Sequence, residues 1–393
     1  MINTEALRAD TPGCREKVHF NNAGASLMPK PVIEAIENHI RLEASLGGYE
    51  AADHKEEEIN QFYESAGRLL NGKASNIAFT SSATNSYARA LSCIPFERGD
   101  KVLIANEDYV SNQLAFLSLQ TRWGIQLLRA TSLPEGGVDV EDMKRLMDKH
   151  APRLVSLTHV PTNSGLVQPV ERVGQLCRER DIPYLVDACQ SVGQFPVDVQ
   201  KIQCDFLSGT FRKFLRGPRG TGFLYVSDAM LKKNWEPLFI DMRGADWTGL
   251  NEYKIRADAR RFEEWEQPHA LLLGSKAALD YALAVGLENI QARNKILCER
   301  FRQGTGMIND LALLDLGKER SSIITVRIPR WQPQDLLEAL RRQNINTSIS
   351  YRIFALIDFE KKGVDWALRV SPHYYNTEGE IDILLNSLRE LVA

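Results

Sequence analysis

Asp187 and Lys213 each close an apolar run, and they are the two residues of this chain best placed to do chemistry together. Tyr184-Leu185-Val186 reads as a buried strand that delivers Asp187 at its carboxyl end. A second apolar approach ends in Thr210-Phe211-Arg212-Lys213. A buried acid and a buried lysine on neighbouring strand ends are what pyridoxal 5'-phosphate requires. The lysine amine condenses with the aldehyde, and the acid pairs with the pyridinium nitrogen so that the ring stays an electron sink. Ser82, Ala83 and Thr84 offer a cradle for the phosphate, lying between a predicted strand at 77–80 and the helix that follows. Small residues let the backbone approach, and free N–H groups at a helix start bind an anion. A ligand-free helix N-cap would use Thr84 equally well. It is the presence of Lys213 that favours the phosphate reading.

Other chemistries find little support. Cys14, Cys93, Cys177, Cys189, Cys204 and Cys298 show no C-x-x-C spacing, so free thiols are expected and no metal site. Gly217-Pro218-Arg219-Gly220-Thr221-Gly222 is neither G-x-G-x-x-G nor a P-loop, and it precedes a strand. Its glycines fit a tight turn beside Lys213 better than a nucleotide loop. A formal charge of −3 carries no nucleic-acid footprint. No apolar run approaches the roughly 18 residues of a membrane span. The polar N-terminus lacks a signal-peptide core. The expectation is a cytoplasmic chain with neither membrane nor nucleic acid as partner.

The elements that must position these residues alternate. Strands are predicted at 77–80, 101–105, 125–129, 154–159 and 184–187. Helices are predicted from about residue 84, at 112–123, at 140–150 and at 169–180. Such alternation argues an α/β fold with a mostly parallel sheet covered on both faces. In sheets of this kind a ligand lies outside the carboxyl ends of the strands, where Asp187 and the Ser82 loop stand. Further on, a strand at 322–328 and helices at 268–285, 333–342 and 378–391 are expected. At 393 residues the chain is long enough for two domains.

Four steps in order, D-x-x-Q (Asp187, Gln190), P-V-D-V (Pro196 to Val199), C-D-F (Cys204 to Phe206) and Thr-x-x-Lys (Thr210, Lys213), resemble the class V aminotransferase group of fold-type I enzymes. Its members include cysteine desulfurases, C–S lyases, isopenicillin N epimerase and kynureninase. The resemblance runs from about Val18 to the C-terminus. It implies an aspartate-aminotransferase-like homodimer acting on an amino acid. It also implies a segment 1–22 packed on the small domain, a large cofactor domain at 23–262 and a small α+β domain at 263–393. Tyr109 matches the residue that stacks on the pyridine ring. Thr162 matches the residue near the ring oxygen, with Asn163 its close competitor. Thr210 offers a hydroxyl to the phosphate, whereas Arg212 replaces the family's histidine with a permanent cation that either joins the phosphate cradle or points toward substrate. Arg369 matches the arginine that grips the α-carboxylate, and Asn22 lies in the N-terminal loop that lines the substrate site.

Two departures bear on the reaction. The region 345–370 contains no cysteine, so the persulfide loop of a desulfurase is missing. Trp265 and Glu266 stand where relatives carry the Gly-Thr that reaches the neighbouring subunit's phosphate. The stretches FRKFLRGPRGTGFLYV and HVPTNSG are most similar to C–S lyases of the ergothioneine type. The expected reaction is β-elimination at a C–S bond, giving pyruvate and ammonia. Transamination and epimerisation remain as alternatives that use the same residues, and the desulfurase reading ranks below them.

Overall fold

The computed structural model describes residues 2–392. Its centre is a seven-stranded sheet in the order Ile77–Thr80, Gly222–Val226, Phe206–Thr210, Tyr184–Asp187, Leu154–Thr158, Lys101–Ile104, Gln126–Arg129. Gly222–Val226 runs antiparallel to both neighbours, and the other pairs are parallel. The inner strands are buried along their whole length, as continuous apolar runs require when helices cover both faces. Alternation sorts their side chains. Leu103, Val186 and Leu207 enter the core on one face, while Val102, Leu185 and Phe206 enter the core on the other. The chain direction switches at Lys101–Ile104, whose neighbours follow it in sequence on opposite sides. A crevice at such a switch point is where open α/β sheets bind ligands.

A second, four-stranded antiparallel sheet has the order Ala312–Leu313, Ile324–Arg327, Trp366–Val370, Ser348–Tyr351. Leu297, Phe301, Leu336, Leu340, Leu384 and Leu388 pack with its strands in a separate core. The N-terminal strand Val18–His19 pairs in parallel with Ile345–Asn346, and Asn21 bridges to Ser371. This places the N-terminal loop against the strand that carries Arg369.

Predicted strands and helices match within one or two residues at most ends. Residues 30–70, to which no element was assigned, form the helices Lys30–Leu46, Gly48–His54 and Glu56–Leu70. The last of these shows its logic afterwards. Glu56, Glu57 and Glu58 sit at the positive helix start, and Ile59, Phe62, Tyr63, Ala66, Leu69 and Leu70 repeat on one buried stripe. Helix His269–Val285 packs across Lys30–Leu46 and Glu56–Leu70. Among the described residues no single helix is long and apolar enough to cross a membrane.

Candidate active site

Asp187 ends its strand with its side chain buried. Its carboxylate accepts from Asn112 Nδ2 at 3.0 Å and from the Cys189 backbone N–H at 2.9 Å. Asn112 lies in the first turn of helix Val110–Trp123 and also donates to Asp108 Oδ1 at 3.0 Å. Asp108 takes further hydrogen bonds from Gln113 and Thr158. Burial raises its pKa, those hydrogen bonds pull the other way, and nearby Asp187 adds to the rise. Sequence reasoning passed over Asp108 and Asn112. Asp108 stands one residue before the helix N-cap Tyr109, within reach of Asn112 in the first turn.

Lys213 is buried and its Nζ makes no hydrogen bond among the described residues. The amine lies 5.8 Å from the centroid of the Tyr109 ring. Burial pushes its pKa down to about 8, Cys189 and Asp187 oppose the drop, and Arg212 and Arg369 add to it. A substantial fraction of the amine is therefore neutral near physiological pH, as a lysine that attacks a carbonyl requires.

The Ser82 loop is built as a helix start. Ser82 Oγ accepts from the Asn85 N–H at 3.1 Å, and helix Ala83–Ser92 begins immediately after. Its first N–H groups have no intrahelical partner. Gly222 backs this loop, where an added Cβ would lie 2.6 Å from Ala83 N. Only glycine lets the strand approach so closely. Thr210 Oγ1 donates to the Thr221 carbonyl at 3.4 Å, and Arg212 donates to the Gly24 carbonyl.

Arg369 has an unusual environment. It is 9% exposed and donates to the Thr162 carbonyl at 3.2 Å, to Thr162 Oγ1 at 3.0 Å and to Asn21 Oδ1 at 3.4 Å. No carboxylate lies within ion-pair distance among the described residues, and its Nε has no partner. Burial lowers its pKa to about 10, with the positive charge of Arg212 adding to the drop.

Every residue singled out for the cofactor lines one cleft: Ser82, Ala83, Thr84, Tyr109, Thr162, Asp187, Gln190, Thr210, Arg212 and Lys213. Thr158, Val160 and Cys189 join them. Thr162, rather than Asn163, is the residue in the cleft. Its hydroxyl accepts from Gln190 Nε2 at 2.6 Å, while Asn163 Nδ2 turns away to the Phe354 carbonyl at 3.0 Å. Asn22 differs from expectation. Its amide donates to the Ser371 carbonyl at 2.7 Å and its oxygen accepts from Tyr375 OH at 2.5 Å, so the side chain is used up in joining the N-terminal loop to the second sheet. The neighbouring Asn21 reaches Arg369 instead. The one-residue offset follows from the backbone, because Asn21 forms the bridge to Ser371 and adjacent side chains then point in different directions.

These residues fit pyridoxal 5'-phosphate. A free lysine amine faces an aromatic ring, a hydrogen-bonded buried carboxylate lies in the same cleft, and a helix start backed by an obligatory glycine can take the phosphate. Gln190 Oε1 is also buried without a protein partner. The family described as Aminotransferase class-V matches residues 18–384. The chain belongs to this family. It is a pyridoxal-phosphate-dependent enzyme of the lyase or transferase type. A protein named probable cysteine desulfurase from Pyrococcus abyssi is 28% identical over 400 residues, spanning 99% of this chain and 97% of the relative. Another of that name from Methanothermobacter thermautotrophicus is 28% identical over 402 residues, spanning 100% and 99%. Among solved structures, an apo cysteine desulfurase from Thermococcus onnurineus superposes with a TM-score of 0.90 at 26% identity, covering 100% of this chain and 98% of that one. The cystine C–S lyase C-DES, solved with cysteine persulfide, gives 0.86 at 21% identity, covering 97% and 99%. That last likeness concerns the fold.

Proposed function

We propose that this enzyme cleaves the C–S bond of cysteine or a cysteine-derived amino acid by β-elimination. The observation that carries the amino-acid part is Arg369. A buried guanidinium with no acidic partner is costly, and a substrate carboxylate meeting it in two parallel bonds removes that cost. The sulfur part rests on the relatives, which are named cysteine desulfurases across nearly the full chain.

The chain's residues divide the work as follows. Ser82, Ala83 and Thr84 would hold the phosphate through the helix start, Tyr109 and Gln190 would hold the ring, and Asp187 would pair with the ring nitrogen. Asn112 fixes the Asp187 carboxylate from behind. The cofactor, when bound, supplies an electron sink for the pair left at Cα. Arg369, oriented by Thr162 and Asn21, binds the substrate carboxylate and so sets which hydrogen points at Lys213. Lys213 Nζ removes that proton, for which a pKa near 8 suits it.

Elimination is favoured over persulfide transfer by the cysteines. None falls in the stretch 345–370, and the cleft holds only Cys189. Burial and the neighbouring Asp187 hold that thiol well above its ordinary value, so it is a protonated, poor nucleophile. The alternative is a desulfurase, favoured by the relatives' names. Cysteine supplied to the pure enzyme decides between them. Elimination yields pyruvate, ammonia and sulfide, whereas desulfuration yields alanine and a persulfide. Exposed Phe239, Trp247 and Leu250 further support a homodimer. The two separate cores support two domains, but Leu272, Leu273, Leu279, Leu287 and Ile290 pack in the first core, which favours a division after residue 290 over the expected one at 262.

A further inference from the structure

Arg212 is the cation of the cleft to which the reaction gives no task. It lines the cleft and is half-buried. The groups that act on its charge are Arg219, Cys189 and Tyr109, and no carboxylate is among them. Among the described residues Asp187 is the one carboxylate lining the cleft, and its task is the ring nitrogen. A guanidinium partly withdrawn from water with no acid beside it is suited to receive one from a ligand.

Two directions are open to a cation at this position, the phosphate cradle or the substrate, and the contacts favour the second. The Arg212 guanidinium donates to the Gly24 carbonyl, and the Arg212 carbonyl accepts from the Ser26 N–H at 2.8 Å. Both ties are to the N-terminal loop, not to the Ser82 helix start. That loop also meets Arg369, which donates to Asn21 Oδ1 at 3.4 Å. Asn21 and Gly24 belong to one tight turn, in which the Asn21 carbonyl accepts from the Gly24 and Ala25 N–H groups at 3.0 and 2.9 Å. They also touch, since a Cβ on Gly24 would lie 2.5 Å from Asn21 Oδ1. The two guanidinium groups thus converge on neighbouring atoms of one turn. The charge of each reaches the Lys213 amine, and Arg212 also acts on Arg369. Lys213 marks where the Cα of an amino acid must sit. With the α-carboxylate on Arg369, Arg212 is the next cation along the side chain. An apolar side chain would leave it unpaired, and a basic one would add a like charge.

We propose that the substrate carries a second carboxylate on its side chain and that Arg212 binds it. Combined with C–S cleavage and with Arg369 as the α-carboxylate grip, on which this rests, the substrate class is a cysteine thioether whose sulfur substituent ends in an acid.

The test uses holoenzyme in excess cofactor and compares two ligands that have no sulfur to lose. L-α-Aminoadipate is a diacid, and its side-chain amide, L-homoglutamine, has the same shape without the second charge. The visible absorbance of the bound cofactor reads binding. The diacid should bind about tenfold or more tightly than the amide. Arg212→Gln should bring that ratio close to one, and Arg212→Lys, which keeps the charge, should restore part of it. Both ligands are compared on the same protein, so a general loosening of the site cancels in the ratio. Arg369→Ala should weaken both ligands and leave the ratio in place. Equal binding of the two ligands by the parent enzyme overturns the proposal. So does a ratio that survives Arg212→Gln, and loss of cofactor from that variant on gel filtration would then assign Arg212 to the phosphate. The reaction itself is judged separately. S-Carboxymethyl-L-cysteine, the sulfur counterpart of aminoadipate, should release pyruvate with a higher kcat/KM than S-carbamoylmethyl-L-cysteine. Pyruvate from neither removes C–S cleavage, while the aminoadipate ratio still decides what Arg212 binds.

Discussion

Replacing Lys213 with methionine should make the cofactor-free protein more stable, and by an amount the structure sets. The amine is buried without a hydrogen bond, and burial brings its pKa from 10.5 to about 8. A drop of that size corresponds to about 3 kcal/mol of cost for carrying the proton in the folded state. The sign follows from proton counting. Between about pH 8 and 10.5 the unfolded lysine is protonated while the folded one is neutral, so the unfolded state binds more protons and stability rises with pH. The cost is therefore fully present below pH 8 and is relieved as pH climbs toward 10.5. Methionine keeps most of the side-chain volume and carries no proton. Urea unfolding of the two apoproteins, at equal concentration and at pH 7, should place Lys213→Met up to about 3 kcal/mol above the parent. Most of that gap should close at about pH 10. A variant no more stable at pH 7, or a gap that does not change with pH, would refute the claim that Lys213 is held as a desolvated amine.

Asp187→Asn should keep the covalent cofactor band but slow proton removal at Cα by orders of magnitude, read in single-turnover kinetics; near-parental turnover would make Asp187 structural. Arg369→Ala should raise KM for the amino acid by ~30- to 1000-fold, the equivalent of about 2–4 kcal/mol for a lost desolvated charge pair, with a smaller change in kcat. An unchanged KM would move the carboxylate grip elsewhere. Replacing all six cysteines with serine should leave pyruvate release from a cysteine thioether largely intact. Loss of that rate, traced to Cys189→Ser alone, would bring the thiol in the cleft into the chemistry.

Much of this site was legible because strands announce themselves. Tyr184–Asp187 and Leu154–Thr158 are short, mostly apolar and wholly buried runs, and a residue at the end of such a run stands at the carboxyl edge of the sheet. The cleft residues on those edges therefore came out together. What stayed hidden depends on which way a side chain turns once neighbours are in place. Asn21 and Asn22 have the same side chain in adjacent positions. Only the pairing of Asn21 with Ser371 decides that Asn21 meets Arg369 while Asn22 is bonded to Tyr375. Asp108 is of the same kind. Its burial arises from Thr158 and Asn112, on two elements that sequence spacing does not bring together.

The cleft also brings two costs of one kind close together. Lys213 and Arg369 are both buried cations without an acid in ion-pair contact, and both have lowered pKa values for the same first reason, desolvation. Elsewhere buried charges are handled in more than one way: Arg216 and Arg261 are also buried without an acid in ion-pair contact, bonded instead to carbonyl and hydroxyl oxygens. Glu263 takes hydrogen bonds from Phe79, Tyr63, Gln267 and Arg243, and Asp315 pairs with Arg302. What sets Lys213 and Arg369 apart is their place: Lys213 lines the cleft, and Arg369 bonds Thr162 of its wall. Each is relieved by a different partner. Lys213 loses its cost when its nitrogen becomes bonded to the cofactor, and Arg369 loses its cost when a carboxylate arrives. The apoprotein should therefore gain stability in two separable steps, first with cofactor and then with an unreactive amino acid. Arg369→Ala should abolish the second gain while leaving the first.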